Sequence, residues 1–143
     1  PGDIIDHQGK LLGRHQGLIN FTIGQRRNLG VSGLPEPYFV IQLDAKANRV
    51  VLGPKPFLYT SKCTATGVNW LSWPVQTKPF EALAKIRLQH KAAPCLITPL
   101  SSSELMVSFF EEQLSITPGQ GLVIYHDDLV IAGGIIDRTG DQV

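Results

Sequence analysis

His15-Gln16-Gly17-Leu18-Ile19-Asn20-Phe21-Thr22-Ile23-Gly24-Gln25-Arg26-Arg27-Asn28-Leu29-Gly30-Val31 lies early in a chain of 143 residues, and the reading of the remainder is built outward from it. Its apolar members Leu18, Ile19, Phe21, Ile23, Leu29 and Val31 are spaced as anchors between three glycines, with two adjacent arginines among them. Thr22-Ile23-Gly24-Gln25 has the form of a capping box, in which a threonine caps a helix and a glutamine three residues on returns to the threonine N–H. That predicts a short helix with Arg26 and Arg27 in its first turns, ended by Gly30 and Gly33.

On the N-terminal side, residues 3–6 and 11–13 read as strands around a turn at residues 7–10, with Gly9 free to take positive φ. On the C-terminal side, Ser32-Gly33-Leu34-Pro35-Glu36-Pro37 has breaker composition and reads as a surface loop. Residues 38–44 and 49–53 then form a hairpin, rich in β-branched and aromatic residues on both arms, with Asn48 suited to the left-handed position. Pro54 and Pro56 block its continuation, and a domain boundary falls near residues 59–62. The expected organisation is residues 1–60 as a small β domain with a short helix, and residues 61–143 as a second β domain.

The second half shows short strands and turns without a long helical period. Residues 80–90 alternate: Phe80, Ala82, Ala84, Ile86 and Leu88 inward, Glu81, Lys85, Arg87 and Gln89 outward, with Leu83 the exception. Further strands are expected at 95–98, 104–110, 122–125 and 129–132 with 135–136, the last two joined across Asp127-Asp128. This spacing indicates an all-β fold, as a small antiparallel barrel or a sandwich, and does not choose between them.

The formal net charge of +1 hides a division. Residues 1–91 hold twelve Lys and Arg against five Asp and Glu, a net +7, and residues 92–143 hold one against seven, a net −6. A basic stretch suits a polyanion, because each phosphate contact adds affinity that salt removes; ordinary surface solvation is the competing account. The two cysteines, Cys63 and Cys95, form no CxxC pair and have no histidine at ligand spacing, so they read as small buried hydrophobes and no zinc site is expected. No run of apolar residues is long enough to span a membrane, and no signal peptide is expected. The first residue is proline, so the natural start of the protein is expected elsewhere.

The run His15-Gln16-Gly17, five residues, Thr22-Ile23-Gly24-Gln25-Arg26-Arg27, then Leu29-Gly30-Val31 resembles the signature of the bacterial tRNA-specific 2-thiouridylases. Pro1-Gly2, Gly9, Gly13, Glu36-Pro37-Tyr38-Phe39-Val40, Pro94-Cys95, Thr117-Pro118-Gly119-Gln120 and Gly133-Gly134-Ile135-Ile136 follow in that family's order. The resemblance implies that the second half is a barrel like the second domain of translation elongation factors. It implies, too, that ATP with magnesium and the catalytic cysteines belong to an upstream domain, and that no catalytic residue or cofactor resides in this chain. The implied partners are tRNA and, for the complete enzyme, a sulfur-donating relay protein; the implied location is cytoplasmic.

By the same resemblance, Gln120 contacts tRNA, as do the positions matching an Arg-Tyr pair, here Arg87 and Leu88. Leu88 departs from the aromatic and has no π face for a base. Lys85 shares the outward face with Arg87 and reinforces it, against the plainer account of a charged strand face paired to its neighbours. His15, Gln25, Arg26 and Arg27 are candidates for tRNA or interdomain contact, with His15 and Gln25 chiefly architectural. Cations at a helix N-terminus oppose the macrodipole, which an anionic partner would relieve. Two other classes compete: a freestanding RNA- or protein-binding β module without a catalytic parent, and a small hydrolase using His15 or His126 with Ser32 or a cysteine, which no nucleophile elbow supports.

Overall fold

The computed structural model describes residues 1–86, 91–140 and 143, and it divides into two compact units, Pro1–Tyr59 and Thr60–Val143. In the first, strands β1 (Gly2–Asp6), β2 (Leu11–His15), β3 (Phe39–Asp44) and β4 (Arg49–Gly53) form a sheet in the order β2-β1-β4-β3. The β1–β2 and β3–β4 pairs are antiparallel hairpins, and β1 and β4 join them in parallel. Side chains close both hairpin turns. Asp6 Oδ1 accepts the N–H groups of Gln8 and Lys10 at 2.9 and 2.8 Å, and Asp44 Oδ1 accepts that of Ala47 at 3.1 Å, with Asn48 at φ +54°.

A half-apolar sheet must bury one face against a second layer. Here that layer is an irregular segment. Ile4, Val40, Val50 and Leu52 of the sheet cluster with Leu29 and Tyr38, and Leu18, Phe21, Ile23, Val31 and Leu34 pack against them. Five of the six anchors expected in the opening stretch are thus part of the cover of the sheet; the sixth, Ile19, is 95% exposed on the 3₁₀ turn and anchors nothing. The helix expected after Thr22 does not form: residues 22–25 are a β-turn, and the helical turn nearby is a 3₁₀ turn at Leu18–Asn20. Arg26 and Arg27 therefore face no helix dipole.

The second unit is a closed barrel of β5 (Tyr59–Trp70), β6 (Phe80–Lys85), β7 (Ala93–Pro99), β8 (Leu105–Leu114), β9 (Gly121–His126) and β10 (Leu129–Thr139), in the order β10-β5-β8-β7-β6-β9. Closure answers the question that strand spacing left open, and it removes the unpaired edges that an open sheet would expose. Small residues (Cys63, Ala65, Ala82, Ala84, Cys95) and large ones (Ile97, Leu105, Val107, Leu122, Ile124, Ile131) share one interior, as a barrel too narrow for a cavity requires. Both cysteines are fully buried, and burial pushes each thiol up to about 12. The expected strand at 80–90 ends at Lys85; the positions proposed at Arg87 and Leu88 lie outside the described residues.

Candidate nucleic-acid interface

Two tetrapeptides of the chain, Thr22-Ile23-Gly24-Gln25 and Thr117-Pro118-Gly119-Gln120, fold in the same way, one in each unit. In the first, Gln25 N–H donates to Thr22 O at 3.0 Å, Gly24 takes φ +89°, and Gln25 Oε1 accepts the Thr22 N–H at 3.0 Å. In the second, the corresponding bonds are Gln120 N–H to Thr117 O at 3.2 Å and Thr117 N–H to Gln120 Oε1 at 3.3 Å, with Gly119 at φ +91°. Positive φ at the third position is what a type II turn demands, and glycine alone takes it without strain. Each turn is also fastened to one strand residue. Gly24 N–H and Gln25 O bracket Val40 with bonds of 2.7 and 2.9 Å, and Gly119 N–H and Gln120 O bracket Ile136 with two bonds of 2.8 Å.

The two glutamines differ in what remains to them. The Gln25 Nε2 donates to Arg27 O at 2.8 Å, so its amide is committed at both ends. Because Gln120 Oε1 faces an N–H donor, its orientation is fixed by chemistry. Its Nε2 then presents two N–H groups that have no acceptor among the described residues. Gln120 directly precedes β9, and Lys85 on the neighbouring β6 lies opposite Val123, three residues further on. Lys85 stands between buried Ala84 and Ile86, points outward, and has no ion-pair partner among the described residues. The other cation following this end of β10, Arg138, is held 3.5 Å from Asp137. One unpaired ammonium and one unspent amide therefore share a rim of the barrel, a donor set suited to phosphate and base oxygens.

In the first unit, His15 is 2 % exposed, its Nε2 lies 2.9 Å from Asn48 O, and Phe21 meets its ring edge-on at 6.0 Å. A Cβ at Gly2 would overlap Asn48 O and come within 2.7 Å of His15 Nε2, so Gly2, His15 and Asn48 pack as one joint. Arg26 and Arg27 are exposed, and neither pairs with a carboxylate among the described residues, whereas Arg14 and Arg49 are matched to Asp3 and Asp44 at 3.3 Å. The equivalence of the two turns is the feature that a motif-by-motif reading missed; the repeated Thr-x-Gly-Gln is its signal in sequence. No group of three His, Cys, Asp or Glu that could hold a metal occurs among the described residues.

The tRNA methyl transferase PRC-barrel domain family matches residues 1–54, and the aminomethyltransferase beta-barrel domain family matches residues 60–136. Among curated relatives, the tRNA-specific 2-thiouridylase MnmA of Endomicrobium trichonymphae is 45% identical over 137 residues, which is 95% of this chain and 38% of that protein. Those of Trichormus variabilis and Geotalea uraniireducens are 44% and 42% identical over 96% of this chain, and it covers 39% and 36% of them. The chain thus spans well under half the length of the curated relatives it matches. With both domain profiles in register and these identities along nearly its whole length, the chain belongs to the tRNA-specific 2-thiouridylase family.

Proposed function

We propose that this chain is the tRNA-holding portion of an enzyme that places sulfur on C2 of a wobble uridine, with the reaction carried out by sequence outside it. The observation that carries the reading is that Lys85 and Gln120 lie at the same end of the antiparallel β6–β9 pair, and neither the Lys85 ammonium nor Gln120 Nε2 has a partner among the described residues. Arg87, two residues beyond Lys85, belongs to the same proposal, and Leu88 contributes apolar or backbone contact. Arg26 and Arg27 add unpaired charge in the first unit for tRNA or for a neighbouring domain. His15 and Gln25 support their loop from within.

ATP and magnesium are assigned, in this reading, to the part of the longer enzyme that this chain does not span. In this reading, activation of the uridine O2 by ATP and delivery of persulfide sulfur from a relay protein occur in the cytoplasm, on the remainder of the longer enzyme. The test is filter binding of tRNA to the chain at rising salt. Two phosphate contacts predict a loss of about tenfold over a fourfold rise in salt. Binding indifferent to salt, or thiolation by the chain alone, would contradict the assignment.

A further inference from the structure

The opposite end of the barrel carries a surface of another kind. The pairing of β6 with β9 runs from Lys85 and Val123 to Leu83 and Tyr125 and stops there. Beyond it Trp73 sits between Phe80 and His126, with ring centroids 5.4 and 4.7 Å away, and Trp70 lies 6.2 Å from Phe80. Beside these rings Leu71 is 64% exposed and Leu129 49% exposed. Their backbone is held: Leu71 N–H donates to Ile131 O at 2.9 Å, Ser72 Oγ to Val130 O at 2.8 Å, and Trp70 Nε1 to Ser102 O at 3.1 Å. Apolar side chains kept exposed on a fastened backbone lose little entropy on being covered, and clustered aromatics are enriched at the centres of interfaces.

The charge around this surface selects its occupant. Asp127 and Asp128 form the β9–β10 turn, Glu81 follows Phe80, and Lys78 is the one cation on the connecting segment. Aromatic rings could stack bases, but three carboxylates against one ammonium repel a phosphate backbone. They attract lysine and arginine, which also pack on indole faces. We infer that the Trp73–Phe80–His126 end of the barrel docks a protein segment that alternates basic and apolar side chains. β9 separates this end from Gln120 by about 20 Å at strand rise, so the segment and an RNA at the other rim do not compete. The inference does not depend on the proposed tRNA role.

The chain has two tryptophans, both here, so Trp70→Phe leaves Trp73 emission as a local reporter. The probes are a peptide alternating leucine and lysine, its counterpart with glutamate for lysine, and an oligouridylate. The lysine peptide is expected to shift the emission saturably, and about fivefold more weakly with Asp127→Asn and Asp128→Asn combined, the order expected for lost exposed charge pairs. Methyl shifts of Leu71 and Leu129 in the unsubstituted chain give the same answer if Trp70→Phe disturbs folding. No saturable response to the lysine peptide, equal affinity for the glutamate peptide, or preferential binding of oligouridylate would each overturn the inference.

Discussion

Replacing Gln25 and Gln120 one at a time by alanine should separate two glutamines that occupy the same turn. Gln25→Ala deletes the bonds to Thr22 N–H (3.0 Å) and Arg27 O (2.8 Å). At a net 0.5–1.5 kcal/mol per bond, and with water able to replace part of each at this surface turn, the loss is about 1–2 kcal/mol. Gln120→Ala deletes one bond of 3.3 Å, at the weak end of the range and worth about 0.5 kcal/mol. Amide exchange is the suitable assay, because both tryptophans lie in the second unit and fluorescence would not see the first. The Thr22 and Val40 amides should lose about tenfold in protection with Gln25→Ala, since 1.4 kcal/mol is a factor of ten. The Ile136 amide should lose about twofold with Gln120→Ala. Affinity for tRNA should respond in reverse: nearly unchanged for the first variant and about 2–10-fold weaker for the second, the worth of one hydrogen bond. If Gln120→Ala opened its turn as readily as Gln25→Ala and left tRNA affinity intact, the amide of Gln120 would not be the unspent donor that the site rests on.

Three further outcomes follow from the packing and the charges. Native Cys63 and Cys95 should resist a thiol reagent at pH 8 and react on unfolding, since burial holds both near 12 and the thiolate is the reactive form. The N–H groups of Lys10 and Gln8 hold the Asp6 carboxyl below its ordinary 3.8. A depressed folded-state value adds stability above that pH and loses it as pH falls through the folded value, so denaturant midpoints of Asp6→Asn should fall less steeply below about pH 4 than those of the parent. Gly2→Ala should destabilise the first unit by about 3 kcal/mol, the upper range for overpacking, read from its denaturant midpoint; a loss under about 1 kcal/mol would show that the His15–Asn48 joint yields.

Much of this protein was legible in its linear order because the relevant physics is local. Alternation along 104–110 and 122–125 puts Leu105, Val107, Leu122 and Ile124 inside whatever the partner strands are. The side-chain bond from Gln25 to the Thr22 N–H is likewise short-range, and it forms as the capping box predicts. Whether a helix follows is decided elsewhere: Val40, fifteen residues on, claims Gly24 N–H and Gln25 O from the side and leaves a turn. Barrel closure is of the same kind, because a sandwich and a barrel present one pattern of strands and differ only in whether β9 finds β6 and β10 finds β5. The sheet of the first unit needed a cover, and residues 18–34 became one because their apolar side chains meet Ile4, Val50 and Leu52, which are distant in sequence. Sequence by itself settled which residues are apolar, which turn, and which carry charge; the tertiary pairing decided which donors are spent internally and which, at Gln120 Nε2 and Lys85, have no partner among the described residues.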